Sequence, residues 1–218
     1  MTRARVAVLI SGRGSNMAAL IEAARASDFP AEIALVMSNR ADAAGLKLAE
    51  RAGIATAVID HEKFAGREAF EQAIHARLEA GRIAFVCLAG FMRKLTPWLV
   101  QRWDGRMINI HPSLLPAFKG LDTHARALAA GVKIHGASLH FVTADLDGGP
   151  IIAQAAVPVR DDDTEDTLAA RVLEAEHEIY PLALKLLAQG RVRLADGRCV
   201  VDGPVQADGV LIAPQTGA

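Results

Sequence analysis

Residues 6–16 of the chain read Val6-Ala7-Val8-Leu9-Ile10-Ser11-Gly12-Arg13-Gly14-Ser15-Asn16. The five apolar residues at the start of this stretch are typical of a strand that is covered on both faces. A glycine-rich turn follows at once, and apolar residues then recur at helical spacing from Met17 to Ala24, with Ser15 or Asn16 as the predicted N-cap. A strand, a glycine turn and a helix in this order predict the first βα unit of a doubly wound sheet.

Short apolar runs and helical patterns alternate beyond this stretch. Strands are predicted at Val6–Ile10, Ile33–Met37, Ala55–Ile59, Ile83–Ala89, Met107–Ile110, Gly136–Val142 and Ile151–Val159. Helices are predicted after the first strand and at Ala43–Ala52, Arg67–Ala80, Pro97–Arg102 and Asp122–Ala130. A last, long helix is predicted to begin after Asp163 or Thr164, to be kinked or broken by Pro181 and to end at Gly190.

These patterns predict an α/β fold, a doubly wound, mostly parallel, Rossmann-like sheet with an antiparallel C-terminal extension. Residues 1–190 are predicted to form a single domain, and residues 191–218 a C-terminal strand and a loose tail. In open sheets of this kind, ligands bind outside the carboxyl ends of the strands. The loops after Ile10, Ala89, Ile110 and Val142 are therefore the expected location of a site.

The composition of the 218-residue chain excludes several classes of protein. With 24 Lys+Arg against 25 Asp+Glu, a net charge of −1 argues against nucleic-acid binding by counterion release. Two cysteines, Cys87 and Cys199, cannot form a disulfide framework and fit a reducing cytoplasm. The longest apolar run, nine residues from Ala84 to Met92, is too short to cross a bilayer, and the first apolar stretch is shorter than a signal-peptide core. We therefore expect a soluble cytoplasmic protein without nucleic-acid or membrane partners.

The glycine-rich turn is a candidate anion site, because backbone N–H groups and the helix dipole favour negative charge there. The dinucleotide-binding pattern requires a glycine at the position of Met17 and an acidic residue where the second strand ends in Ser38-Asn39. The Gly-Lys-Ser/Thr sequence of the Walker pattern is absent. Two interpretations remain, a monophosphate cradle with Ser15 and Asn16 as additional donors, or an ordinary tight turn between a strand and a helix.

Two further segments contain residues suited to acid–base chemistry. Asn109 and His111 lie two apart on a predicted strand and therefore face the same way at its carboxyl end, where a histidine can carry a proton and an amide can donate to an oxyanion. Asp147 lies in a tight Asp-Gly-Gly-Pro turn and, facing a histidine, would stabilise its imidazolium. Each segment also fits a plain turn. His135 and His140 flank another strand, but the spacing of nearby residues matches no metal site.

Four segments are together recognisable: Ser11-Gly12-Arg13-Gly14-Ser15-Asn16, Leu88-Ala89-Gly90-Phe91-Met92-Arg93, Asn109-Ile110-His111-Pro112-Ser113-Leu114-Leu115-Pro116, and residues 142–150, which end in Leu146-Asp147-Gly148-Gly149-Pro150. On these segments the chain closely resembles the phosphoribosylglycinamide formyltransferases, a folate-dependent formyltransferase family of purine synthesis. The resemblance extends from about Val6 to Gly190. The Asn-x-His-Pro-Ser-Leu-Leu-Pro run is highly specific for folate-dependent formyltransferases, and the glycine loop favours this member of the group.

The resemblance implies an enzyme that transfers the formyl group of its co-substrate, 10-formyltetrahydrofolate, to the amine of 5-phosphoribosylglycinamide. It implies a monomer or homodimer that acts on small molecules and needs no metal. The residues implied to bind phosphoribosylglycinamide are Gly14, Ser15, Asn16 and Glu176. Those implied to bind 10-formyltetrahydrofolate are Arg67, Met92, Arg93, Lys94, Leu95, Asn109 and Asp145. Those implied to be catalytic are Asn109, His111 and Asp147.

Three positions depart from the family pattern, namely Lys94 in place of a frequent aliphatic residue, Asp122 in place of a frequent histidine, and Leu173 in place of a polar residue. Two alternative functions remain open. A 10-formyltetrahydrofolate hydrolase shares the catalytic motif and would use water as the acceptor, but related hydrolases carry an additional N-terminal domain. A non-catalytic folate- or nucleotide-binding protein would have no need of a general acid. A third possibility, a methionyl-tRNA formyltransferase, is disfavoured because it would require a further basic C-terminal domain, whereas the tail here is short and not basic.

Overall fold

Seven strands form one sheet in the computed structural model, which describes residues 2–203 and residue 213. The strands are β1 (Ala4–Ile10), β2 (Ala31–Ser38), β3 (Ala55–Val58), β4 (Phe85–Leu88), β5 (Met107–His111), β6 (Ile134–Phe141) and β7 (Ile151–Pro158). Their order is β3-β2-β1-β4-β5-β6-β7, with parallel pairing from β3 to β5 and antiparallel pairing from β5 to β7. The predicted doubly wound, mostly parallel sheet with an antiparallel extension is confirmed.

Six α-helices of the described residues connect or cover the strands. They are α1 (Ser15–Ala24), α2 (Ala44–Arg51), α3 (Arg67–Ala80), α4 (Pro97–Arg102), α5 (Thr123–Ala129) and α6 (Glu165–Ala188), and a 3₁₀ turn spans His61–Lys63. A two-stranded hairpin, β8 (Val192–Ala195) and β9 (Arg198–Val201), follows α6 where a single strand is predicted. Most of the predicted loose tail lies outside the described residues. Within those residues, we find no helix with the length and apolar character needed to cross a membrane.

Two local predictions are wrong. The N-cap of α1 is Gly14 with a φ of 76°, and Ser15 and Asn16 are the first residues of the helix. No side chain caps α1, because the side chain of Asn16 is bonded elsewhere. The second correction concerns the predicted break at Pro181, because α6 continues through this residue as one helix. The proline removes one backbone donor, but buried residues on both sides of it, including Tyr180 and Leu184, hold the helix against the sheet.

The core lies on both faces of the sheet. Val6, Val8 and Ile10 of β1 pack into one cluster with residues of α1, α2 and α6, whereas Ala7 and Leu9 face a second cluster with residues of α3 and α4. All five side chains are fully buried. This arrangement explains why residues 6–10 of β1 are an unbroken apolar run.

The connection between β6 and β7 differs from the simple rule for parallel sheets. Because β6 is antiparallel to β5, its carboxyl end lies beside the start of β5, where the Val142 N–H donates to the Met107 carbonyl over 2.9 Å. The following loop folds back, passing so close to β6 that a Cβ on Gly149 would overlap the Phe141 carbonyl. That return brings the loop to the carboxyl end of β5.

A buried carboxyl joins α1 to α6. Asn16 Nδ2 donates to Glu176 Oε2 over 2.7 Å, and the Glu176 residue is only 6% exposed. Burial raises the pKa of Glu176 from its ordinary value of 4.5 to about 7, against a smaller opposing effect of the Asn16 hydrogen bond. The folded protein therefore keeps this proton over a pH range in which the unfolded chain releases it.

We expect Glu176→Gln to change the pH dependence of stability. A carboxyl whose pKa is raised on folding contributes fully below pH 4.5, and its contribution is lost as the pH rises toward about 7. Glutamine does not ionise, so its contribution to stability does not change with pH in this range. The free energy of unfolding of the variant minus that of the wild type should therefore be about 2 to 3 kcal/mol larger at pH 8 than at pH 5. Denaturant titrations at the two pH values measure this difference. The matched variant Glu178→Gln, at an exposed position of α6, should show none. Equal behaviour of the two variants would contradict this role of burial.

Candidate active site

Two facing glycines, Gly14 and Gly45, allow α2 to pack closely against the loop after β1. The Gly45 N–H donates to the Gly12 carbonyl over 3.0 Å. A Cβ on Gly45 would lie 2.5 Å from Ile10 Cδ1, and a Cβ on Gly14 would lie 2.9 Å from Gly45 Cα. Only glycine lets α2 approach the loop this closely. The first N–H groups of α1 have no intrahelical partner, and groups of this kind can attract an anion because the helix dipole adds to their effect. This arrangement is the predicted anion cradle.

A cavity of about 580 Å³ lies beside this cradle. It brings together the predicted residues Gly14, Ser15 and Asn16 with Met92 and Arg93. A larger cavity of about 830 Å³ between β3 and α3 is lined mainly by alanine and other apolar side chains and contains none of the predicted site residues. We assign the site to the smaller cavity because its lining carries the polar groups that recognise a ligand.

Ser11, to which sequence reasoning assigned no role, connects the two loops of this cavity. Its hydroxyl accepts the Met92 N–H over 2.8 Å and donates to Asn39 Oδ1 over 2.5 Å. The segment after Met92 is held at its far end by Glu71, a fully buried carboxylate that accepts the Thr96 N–H over 2.7 Å. Both ends of the predicted folate segment are therefore fixed by hydrogen bonds.

The predicted catalytic residues Asn109, His111 and Asp147 form a cluster at the carboxyl end of β5. His111 Nδ1 and Asp147 Oδ2 are 3.5 Å apart, and the side chains of both residues are less than a tenth exposed. Asn109 Nδ2 lies 3.2 Å from His140 Nε2. The turn that carries Asp147 has a left-handed conformation at this non-glycine residue, with a φ of 49°, as is common at functional sites.

His140, which sequence reasoning considered only as an unsupported metal ligand, orients Asn109. His140 Nδ1 lies 2.9 Å from the Phe141 carbonyl, an acceptor, so this nitrogen carries the hydrogen. Burial lowers the pKa of His140, which keeps the ring neutral. His140 Nε2 is then an acceptor and fixes the amide group of Asn109 with its nitrogen toward the ring. The pairing of Asn109 with His140 across β5 and β6 creates this contact.

The loop between β5 and α5 covers the cluster with backbone groups. His111 Nε2 donates to the Phe118 carbonyl over 3.0 Å, and the Gly120 N–H donates to Asp147 Oδ2 over 2.9 Å. Since Nε2 of His111 is occupied by a carbonyl, Nδ1 is the nitrogen that remains available beside Asp147. Phe118 has a φ of 53°, so this loop also contains a left-handed non-glycine residue.

Other predicted residues lie around the periphery. Lys94 is exposed, and neither it nor Leu95 lines the 580 Å³ cavity. Arg67 is exposed at the start of α3. Asp145 forms an exposed ion pair with Lys119, 3.2 Å between Oδ2 and Nζ.

The two remaining departures from the family pattern are Asp122 and Leu173. Asp122 is the N-cap of α5, and Leu173 is half-buried on α6. Across residues 2–203, no three His, Cys, Asp or Glu side chains are grouped as metal ligands.

The sequence also matches known proteins. A family model described as formyl transferase matches residues 4–184. The Escherichia coli phosphoribosylglycinamide formyltransferase is 46% identical over 198 residues, which cover 91% of this chain and 93% of that protein. The human trifunctional purine biosynthetic protein adenosine-3 is 54% identical over 194 residues, covering 89% of this chain. The chain spans only about a fifth of that relative, 19% of its length.

Solved structures agree with these matches. A phosphoribosylglycinamide formyltransferase from Coxiella burnetii superposes with a TM-score of 0.89 at 47% identity, covering 93% of this chain and 95% of that one. A formyltetrahydrofolate deformylase from Pseudomonas syringae superposes with a TM-score of 0.86 at 28% identity, covering 92% of this chain and 66% of that one. With a family model that covers most of its length and relatives that align along nearly all of it, this chain belongs to the formyl transferase family.

Proposed function

We propose that this chain transfers the formyl group of 10-formyltetrahydrofolate to the amine of 5-phosphoribosylglycinamide, giving formylglycinamide ribonucleotide and tetrahydrofolate in purine synthesis. The observation that carries the proposal is the occurrence in one molecule of an anion cradle at the start of α1 and an Asn109–His111–Asp147 cluster at the end of β5. The cradle can bind the phosphate of a substrate through backbone N–H groups. The cluster can stabilise the oxyanion that forms during acyl transfer. The cytoplasmic location and the monomeric or dimeric state remain predictions.

The cradle and α6 would hold phosphoribosylglycinamide. The N–H groups at Gly14, Ser15 and Asn16 would bind its phosphate, and Glu176 would lie near the glycinamide. Asn16 Oδ1 is buried without a hydrogen-bond partner among the described residues, so it can accept a bond from the substrate. With a pKa of about 7, the Glu176 carboxyl can donate or accept near neutral pH. Binding the phosphate fixes the substrate and converts binding energy into orientation of its amine.

The residues around the other loops would hold the formyl donor. Met92 is 67% exposed beside the cavity and offers a flexible apolar surface for the folate rings. Arg67 and Arg93 would attract its carboxylates, and the segment through Lys94 and Leu95 would follow its length. Asn109 and the exposed Asp145 would complete these contacts at the formyl end.

The reaction forms one C–N bond and breaks another. The substrate amine attacks the formyl carbon, and the carbonyl electrons move to oxygen in a tetrahedral intermediate. One amide hydrogen of Asn109 faces His140, which leaves the second to donate to this oxyanion, together with the protonated Nδ1 of His111. Collapse of the intermediate expels N10 of tetrahydrofolate, which takes a proton from His111. The amine nitrogen loses a proton in the same step, and transfer of this proton to His111 would regenerate the general acid. Asp147 would orient His111 and stabilise the positive charge on its ring during the step.

The hydrolase alternative rests on the similarity in fold to the Pseudomonas syringae deformylase. In that reaction water would replace the amine at the same catalytic cluster. A hydrolase would leave the cradle at α1 without the phosphate that we propose for it. The two functions therefore differ in whether the phosphorylated amine is required.

We expect tetrahydrofolate to appear only when phosphoribosylglycinamide is present. The change in folate absorbance, followed with and without the nucleotide, measures this requirement. Removal of the general acid in His111→Ala should lower the rate about 10²- to 10⁴-fold. His75→Gln, at a histidine that accepts a bond from Trp103 away from the cluster, should retain the wild-type rate. Equal rates with and without the nucleotide would identify a hydrolase, and no product in either case would favour a binding protein.

We expect Asp147→Asn to lower turnover by about 10²-fold or more, because the amide keeps the shape of the side chain but no longer stabilises the imidazolium. The amide oxygen can still accept the Gly120 N–H, so the unfolding midpoint should change little. Steady-state kinetics and denaturant unfolding separate the two effects. Asp161→Asn, at an exposed residue paired with Lys133, is the control for loss of one carboxylate. Normal turnover in Asp147→Asn across the pH range would show that the His111–Asp147 pairing has no catalytic role.

We expect Gly45→Ala to weaken binding of the phosphorylated substrate selectively. The added methyl group would meet Ile10 and displace the Gly12–Gly14 backbone, so that the cradle loses its geometry. A rise of about tenfold in KM for phosphoribosylglycinamide corresponds to ~1.4 kcal/mol. The KM for 10-formyltetrahydrofolate should be unchanged, as should both constants in Lys47→Ala on the exposed face of α2. A similar rise in both KM values would instead indicate general damage.

A further inference from the structure

Arg126, on α5, contacts the loop that covers the catalytic cluster. Its Nη1 donates to the Lys119 carbonyl over 2.6 Å and to the Leu121 carbonyl over 3.3 Å. The guanidinium carbon lies 5.6 Å from the centre of the Phe118 ring. Arg126 takes part in no salt bridge within the described part of the chain. Its hydrogen bonds are therefore directed to this one loop.

Along residues 118–121, backbone groups that contact the proposed catalytic residues alternate with carbonyls that accept hydrogen bonds from Arg126. Phe118 presents its carbonyl to His111, and Gly120 presents its N–H to Asp147. Lys119 and Leu121 follow these two residues in the chain, and their carbonyls face Arg126. One side of the loop thus faces the catalytic cluster while the other is bound by a single guanidinium group.

The loop needs an external contact to keep this shape. Phe118 and Asp122 both have left-handed backbone conformations, with φ values of 53° and 56°, which residues other than glycine adopt less readily. The ion pair between Lys119 and Asp145 is exposed, and such pairs contribute little. Arginine is suited to the task because its planar group can donate several hydrogen bonds and stack on an aromatic ring at once.

We propose that Arg126 is a positioning residue for formyl transfer. By binding the Lys119 and Leu121 carbonyls, it holds the Phe118 carbonyl against His111 Nε2 and the Gly120 N–H against Asp147. This keeps the hydrogen on Nε2 and directs Nδ1 to the reacting atoms. The inference rests on the proposed function, since it assigns Arg126 to the same catalytic cluster.

Arg126→Ala tests this role against a matched control. Arg106 makes the same kinds of contact, a bond from Nη2 to the Arg102 carbonyl of 2.8 Å and a position 4.4 Å from the centre of the Trp103 ring. It precedes β5 and thus lies at the opposite end of that strand from His111. We expect Arg126→Ala to lower kcat about ten- to hundredfold with little change in the KM for phosphoribosylglycinamide. Arg106→Ala should keep the wild-type kcat.

The ¹⁵N spectrum of labelled histidine provides a readout that does not depend on activity. In the wild-type protein, His111 should show a protonated Nε2, identified by the loss of its signal in His111→Ala. In Arg126→Ala we expect the Nε2 signal of His111 to shift, because the hydrogen bond from Nε2–H to the Phe118 carbonyl is weakened. A kcat equal to that of wild type, or a reduced kcat with an unchanged His111 signal, would overturn the inference. If the wild-type protein does not transfer formyl groups, the proposed function fails, whereas the spectrum still tests the contact.

Discussion

The burial of β1 on both faces is the constraint on which the rest of the structure depends. Its side chains fill two separate cores, so neighbouring strands must lie on both sides of it and helices must cover both faces. Parallel pairing with β2 and β4 then brings the loops after β1 and β4 to one edge. Ser11 joins these two loops through Met92 and Asn39, and the site follows from the same sheet that forms the core.

Backbone groups hold two residues of the proposed catalytic cluster, His111 and Asp147. His111 and Asp147 are buried, and each receives a contact from the loop before α5. His140 remains neutral because burial lowers its pKa, whereas burial raises the pKa of Glu176. Fixed dipoles of this kind stabilise developing charge without having to reorganise during the reaction. Their positions also depend on loop geometry, which is the basis of the role proposed for Arg126.

The sequence predicts the order of strands and helices well because apolar runs and glycine turns are local signals. It also predicts Asn109 and His111, which share a face of one strand. It does not reveal His140 or Gly45, whose roles depend on which strands pair and how closely a helix approaches a loop. The cap of α1 and the continuity of α6 through Pro181 differ from prediction because distant contacts outweigh local preference. The β8–β9 hairpin could have been predicted from the Asp196-Gly197 pair, because this dipeptide favours a type I′ turn. Both residues have the positive φ values that such a turn requires.

The register between β5 and β6 has a consequence for refolded protein. Asn109 lies opposite His140, and strand side chains alternate between faces. A molecule in which β6 is displaced by one residue would present Leu139 or Phe141 in place of the imidazole, while the number of backbone bonds in the pair would change little. Such a molecule would resemble the native one by circular dichroism and yet have no oriented amide. Specific activity should therefore report strand register more sensitively than the helix and sheet content measured by circular dichroism. It should be proportional to the fraction of molecules in a preparation that have the native register.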